Sequence, residues 1–345
     1  MNTLDQLKRL CQTGGPSGYE APVAQVAREL LEPWMDEVWV DTLGSVVGVR
    51  RCGKPNAKKL LLDAHLDQIG LMVTGAEDGF LRFASVGGVD PRMLPGREVT
   101  ILTQPPRFGI IACLPPHILS QEEREKAPAL SEYVVDTGLT QEQVEREIPV
   151  GTPMVFRDCF LELAGGRICS GSLDDRACFV ALLRAVELLH DQPLDVDLYI
   201  LGSTREEIGG MGAVVATQTI NPDFCVAVDV THGATPDSGK GRAYELGGGP
   251  AVGIGPNMTR WMTQRLLHKA REQGIAVQKE VMGGDTGTNA WGMQICNEGI
   301  ATAVLSLPLR YMHTPVEVVD LEDLEQTAQL LSAFALHLGE EAAQV

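Results

Sequence analysis

Positive charge is what this chain of 345 residues has least of: 28 Lys and Arg stand against 46 Asp and Glu, a formal net charge of -18. Nucleic acid and anionic membranes call for a basic surface, so neither is expected as a partner. No run of about 18 apolar residues is present to cross a bilayer. The opening MNTLDQLKRL puts charges where a signal peptide needs an apolar stretch, and the expected location is the cytoplasm. The eight cysteines are scattered and form no CxxC, which points away from a cysteine-built zinc site and toward reduced, mostly buried thiols. HExxH and GxSxG are also absent, so neither a helix-borne zinc protease site nor a nucleophile elbow is supported. The glycine-rich GGGPAVGIGP lacks GKS or GKT and does not set GxGxxG between strand and helix, so it reads as a turn.

Hydrophobic patterning is plentiful. With 44% hydrophobic residues the chain can bury a sizeable core and is long enough for two domains. SGYE, with Ser17 and Glu20, reads as a capping box opening a helix whose Val23, Val26, Ala27, Leu30, Leu31 and Trp34 recur at helical spacing. VVGVRR (46–51) and KLLLDA (59–64), separated by Gly-Lys-Pro-Asn, read as a hairpin or a neighbouring strand pair. Residues 68 to 165 carry short β-type runs broken by glycine and proline and predict a small β-rich domain. Two charged helical pieces interrupt it, with capping boxes at Ser120/Glu123 and Thr140/Gln143. Beyond residue 170 the elements alternate: helix 175–191, strand 196–204, helix 210–218, strand 224–230, helix 258–274, strand 301–309, helix 320–338. This is an α/β pattern. The first 66 residues are too few to fold alone and are expected to join the C-terminal part in one sheet, which makes the β-rich segment an insertion.

In an open α/β sheet, ligands collect at the carboxyl ends of strands. The residues just past the predicted strands are one-sided in type. LLLDAHLDQ supplies His65 and Asp67, YILGSTREE supplies Glu206 and Glu207, CVAVDVTH supplies Asp229 and His232, and LSLPLRYMH supplies His313. SGSLDDRA, just before a helix, adds Asp174 and Asp175. Imidazole and carboxylate form the ligand set of zinc or a similar divalent ion. Singly, each has an ordinary reading as a satisfied histidine, a helix start, a solvated charge or a strand stop. Four strand ends and a helix start that bring one chemistry to one edge are harder to read that way. The adjacent Glu206 and Glu207 sharpen the point, because paired carboxylates in a partly buried cleft repel unless a cation compensates. His190, His268 and His337 fall on predicted helices and read as structural or surface residues, and His117 is left open.

DAHLDQIGLMV, LDDRA, REEIGGMGA, VDVTH and LPLRYMHTPVEVVD follow one another along the chain, with VGGVDPRMLPG and GIIACLPPHIL in the insertion. In these motifs, over essentially its whole length, the chain resembles the dinuclear-metal aminopeptidases of the glutamyl aminopeptidase and tetrahedral (TET) aminopeptidase group, FrvX-like peptidases also called cellulase M. The resemblance implies a three-layer α/β catalytic domain of the zinc-exopeptidase type, residues 1–67 plus 166–345. Residues 68–165 would form an inserted β-barrel-like domain serving oligomerisation or substrate access. It further implies two divalent ions, zinc or cobalt: His65 and Asp229 on one, Glu207 and His313 on the other, and Asp174 bridging them. Glu206 would be the general base, Asp67 the partner that orients the chemistry, and the Asp174–Asp175 peptide cis. The implied substrate is a short peptide that gives up its N-terminal residue, and the implied state a homo-oligomer, in this family commonly a tetrahedral dodecamer. The chain departs from many relatives at Gln68, where they carry Glu, and in GGDTGTNAWG (283–292). Arg205 and Arg310 leave open a preference for acidic side chains beside an ordinary surface or ion-pair role. Two other functions use part of the same pattern. One is a related dinuclear amidohydrolase acting on N-acylated amides; the other is a catalytically silent, metal-stabilised scaffold, which has no need of Glu206 and Asp67.

Overall fold

The structure, a computed structural model, describes residues 2–342 apart from 127, 158 and 240. Glu37–Val40 (β1) and Val46–Arg50 (β2) form an antiparallel hairpin whose turn is held by Asp41 accepting the N–H groups of Leu43 and Ser45. Lys58–His65 (β3) does not pair with β2, contrary to the sequence reading; the strand Val196–Ser203 lies between them, antiparallel to β2 and parallel to β3. The last six residues of β3 are all buried. A run buried on both faces belongs in the middle of a parallel sheet, where neighbours arrive by crossover and not by hairpin.

Gly70–Glu77 (β4), Phe80–Val86 (β5), Glu98–Ile101 (β6), Arg107–Ala112 (β7), Val134–Asp136 (β8) and Pro153–Phe156 (β9) close into a barrel in the order β4-β5-β8-β7-β6-β9. Alternation sends Leu71, Val73, Leu81, Val99, Ile101 and Ile111 into the barrel's own core and leaves Phe80, Phe108 and Ile110 exposed. The helix Gln141–Glu147 opens with the expected Thr140/Gln143 capping box, while the side chain of Glu123 lies outside the described residues.

Leu161–Leu163 (β10) and Arg167–Ser170 (β11) return the chain to the large sheet, which Val196–Ser203 (β12), Phe224–His232 (β13), Ala251–Ile254 (β14), Gln278–Val281 (β15), Ala301–Arg310 (β16) and Glu317–Asp320 (β17) complete. Among the described residues it has eleven strands, in the order β1-β2-β12-β3-β13-β16-β17-β11-β10, with β14 on β16 and β15 held by β14 alone. The central β12, β3, β13 and β16 are parallel. Leu60, Leu62, Ala64 and Leu66 face a core covered by helices Thr3–Cys11, Ala21–Leu31, Leu173–Leu189, Arg260–Gln273 and Leu321–Ala335. Leu61 faces a smaller core under Met211–Ile220 and Ala290–Met293. The result is a three-layer α/β/α arrangement beside a barrel. Period two puts Asp63, His65, Ala227 and Asp229 on the second face.

The expected capping box at Ser17 and Glu20 is not formed. Ala21–Leu31 starts without a side-chain cap. The Ser17 hydroxyl instead donates to Asp67, and Glu20 accepts the N–H groups of Gly18 and Arg205. Tertiary partners have taken both side chains from the helix end. No helix among the described residues is long and apolar enough to cross a membrane.

Candidate active site

The parallel strands deliver their ends to one edge. His65 is the last residue of β3, Asp229 lies near the end of β13, and Glu206–Glu207 and His313 follow closely on β12 and β16. β11 is antiparallel to β17, itself antiparallel to β16, so it ends in the same sense and Asp174 follows it.

Asp174 stands between two histidines. Its Oδ1 lies 3.1 Å from Nε2 of His65 and its Oδ2 lies 3.5 Å from Nε2 of His313. On the first side Oδ1 of Asp229 is 4.0 Å from His65 Nε2, and on the second Oε2 of Glu207 is 3.2 Å from His313 Nε2. One carboxylate therefore offers an oxygen to each of two groups of nitrogen and oxygen donors. Ligand atoms of His65, Asp174 and Glu207 all lie within 4.8 Å of one another, as do those of His65, Asp175 and Asp229. The Asp174–Asp175 peptide is cis, and neither residue has helical backbone although both fall at the start of Leu173–Leu189. Asp175 turns inward and accepts the N–H of His65 at 3.1 Å.

The electrostatics are unbalanced. Burial, with neighbouring carboxylates adding to it, pushes Asp229 and Asp175 well above the usual carboxylate range, and raises Glu207. Glu206 is pushed up to about 7, chiefly by burial. The hydrogen bond to Glu207 raises His313 to about 9; at His65 burial works downward, but Asp174 and Asp67 overcome it. No Lys or Arg lines the cleft among the described residues, so the imidazoles of His65, His232 and His313 are all that face the carboxylates of Asp174, Glu206, Glu207, Asp229 and Glu280. Nitrogen and oxygen donors with excess negative charge fit a divalent cation of the zinc kind.

Asp67 lies behind His65, fully buried and outside the cleft. Its carboxylate accepts the Ser17 hydroxyl at 2.6 Å and the N–H groups of Glu206 and Glu207 at 3.0 and 3.2 Å, with Oδ1 3.5 Å from Nδ1 of His65. Burial works to raise its pKa, yet the His65 ring and these donors hold it below the usual value. It ties β3 to the two-glutamate turn. Glu206 faces the cleft, its Oε2 4.0 Å from His65 Nε2.

The barrel reaches this site through Gly87 and Gly88. A Cβ on Gly88 would meet His313 Nδ1 at 2.7 Å, and Gly87, at φ +76°, passes Glu207 closely enough that a Cβ would lie 3.2 Å from the glutamate's own. Glycine is required for that approach.

Of the residues singled out in the sequence, His65, Asp174, Glu206, Glu207, Asp229, His232 and His313 all line one cleft of about 420 Å³. His117, His190, His268 and His337 do not; His190 packs edge-on against Trp34 and His268 pairs with Glu272. Arg205 and Arg310 are also outside the lining, and Arg310 donates to the carbonyl of Ala234. Glu317 was passed over. Only 2% exposed on β17, it accepts the N–H of Asp174 at 3.1 Å and that of His313 at 3.0 Å. Its signal was a carboxylate set between the valines of PVEVVD, a strand-like run where a buried acid needs a reason.

The family model for M42 glutamyl aminopeptidase matches residues 44–330. The lysyl aminopeptidase of Pyrococcus furiosus is 37% identical over 335 residues, 95% of each chain. Among solved structures, aminopeptidase APDkam598 from the archaeon Desulfurococcus kamchatkensis is similar with a TM-score of 0.92 and 36% identity, over 99% of this chain and 96% of that one. The Pyrococcus horikoshii TET1 peptidase, described as able to assemble into a tetrahedron or a large octahedral shell, gives a TM-score of 0.84 at 29% identity, over 97% of this chain and 99% of that one.

Proposed function

Because this chain belongs to the M42 glutamyl aminopeptidase family and is accordingly a peptide-bond hydrolase, we propose that it removes N-terminal residues from short peptides at a two-metal centre in this cleft. The observation that carries the reading is the Asp174 carboxylate, one oxygen toward His65 and the other toward His313. His65 and Asp229 would hold one ion and Glu207 and His313 the other, with Asp174 shared; zinc or cobalt suits such donors. When bound, the ions polarise the scissile carbonyl and lower the pKa of a water toward about 7.

The chain's own residues do the rest. Glu206 faces the cleft, and among the described residues no hydrogen bond fixes its carboxylate, so it is free to take the proton from the attacking water and return it to the departing amine. Asp67 is a positioning residue: by holding both N–H groups of the turn it presents Glu207 to the donor group and Glu206 to the substrate. Glu317 fixes the backbone of Asp174 and His313 together. The acidic cleft gives a free α-amino group a counter-charge that a blocked N-terminus cannot use. We read residues 1–67 with 166–345 as the catalytic unit and 68–165 as the inserted barrel, acting in substrate access and assembly of a cytoplasmic homo-oligomer. The exposed Phe108 and Ile110 support that use of the barrel.

The test is Glu206→Gln, assayed on free and N-acetylated aminoacyl p-nitroanilides with metal content measured in parallel. Turnover of free substrates should fall by about 10²- to 10⁴-fold, with metal content unchanged and the acetylated substrates untouched. A near wild-type rate removes Glu206 as base. Cleavage of acetylated substrates favours an amidohydrolase, and a metal-loaded wild type inert across the panel favours a scaffold.

A further inference from the structure

Beyond the donor cluster the cleft is walled by β15, and one side chain there is left half-used. Glu280 accepts the Thr231 hydroxyl on Oε1 at 2.6 Å, while its buried Oε2 has no hydrogen-bond partner among the described residues. It belongs to neither group of metal-ligating side chains. Among the described residues no ion pair is made to Glu280, and no Lys or Arg lines the cleft that could neutralise it or greet an acidic substrate. Met282 and Met312 line the same cleft with flexible apolar surface. A carboxylate oxygen withdrawn from water without a partner is costly, and the cost is relieved by a donor or a cation. Thioether surface in the same cleft as such a carboxylate complements a methylene stem that ends in positive charge.

Resting on the aminopeptidase reading, we propose that Glu280 selects peptides whose N-terminal side chain is cationic, lysine or arginine, its free oxygen meeting the ammonium or guanidinium. An N-terminal glutamate would place like charge against it, and a leucine would leave the oxygen unpartnered.

The experiment compares kcat/KM on Lys, Arg, Leu and Glu p-nitroanilides for the metal-loaded wild type, Glu280→Gln and Glu280→Lys. Calorimetry with lysine amide and norleucine amide runs beside it. The wild type should prefer Lys and Arg over Leu by at least tenfold. The Lys-to-Leu ratio should collapse at least tenfold in Glu280→Gln, and Glu280→Lys should turn the preference toward Glu. A wild-type preference for Leu or Glu overturns the proposal. So does an equal loss on Lys and Leu in Glu280→Gln, which would mean that the carboxylate meets the α-amino group common to all substrates. If nothing is cleaved, but lysine amide binds more tightly than norleucine amide and the difference vanishes in Glu280→Gln, the catalytic reading fails and the role of Glu280 stands.

Discussion

Glu206 and Glu207 are neighbours in the chain with unlike surroundings. Glu207 hydrogen bonds with His313, whereas Glu206 faces open cleft. Glu207→Gln should therefore weaken metal binding, read by competition with a chromophoric chelator, and excess metal should restore part of the rate. Glu206→Gln should bind metal normally and gain nothing from excess. The same logic extends one shell outward. Glu317 accepts the backbone N–H groups of Asp174 and His313 and so places both residues. Glu317→Gln keeps the size of the side chain but cannot accept equally from both N–H groups, and partners of this kind typically carry about 10- to 100-fold in metal affinity or activity. An unaltered chelator titration would show that the rest of β17 suffices to place both residues.

At the level of elements, the site depends on how distant segments are joined. Arg176, fully buried in the first turn of Leu173–Leu189, donates to the carbonyls of Leu10, Thr13 and Leu66 and to Oε1 of Gln68. Arg176→Ala strands these acceptors, and with about 1 to 3 kcal/mol for each buried group left unmet, a loss of several kcal/mol should appear in urea unfolding. Gly88→Ala acts differently. Its Cβ would enter the His313 ring, so it should lower activity and the affinity for one of two metal equivalents while leaving the urea midpoint nearly unchanged. A parallel loss of stability would mean that the barrel loop is structural first.

Much at this level was legible in the sequence and some was not. The alternation past residue 170 gave the α/β class, because buried strands and amphipathic helices announce themselves locally, while the three layers came with the family resemblance. The chemistry of HLD, REE, VDV and YMH stood out since polar residues just past strand ends need a reason. Pairing is non-local, so the insertion of β12 between β2 and β3 had no local trace. Ser17 and Glu20 matched a capping pattern, but the competing partners, Asp67 and the N–H of Arg205, come from elsewhere in the chain. The closeness of Gly88 to His313 is likewise a property of two segments meeting, which neither segment states.

For the whole molecule, metal and assembly are the two levers. A ligand that binds only the folded chain stabilises it by about 2.7 kcal/mol at a hundred times its Kd. Zinc-loaded protein should therefore melt above chelator-treated protein, with activity returning on reconstitution; identical melting would argue against structural coupling of the site. A net charge of -18 sets copies against one another, while Phe108, Ile110 and Leu114 stand 53 to 62% exposed on and beside the barrel. Salt screens the repulsion and leaves apolar burial intact. Light scattering should report larger assemblies at 0.5 M salt than at low ionic strength, and a monomer under both conditions would exclude an apolar interface there. The sheet's margin adds a last consequence. The donor residues stand on or just past strands locked between neighbours, whereas Glu280 rides on β15, which is hydrogen-bonded to β14 alone. Mutations on that rim disturb few partners, so a lineage can change what it feeds on while inheriting its reaction whole.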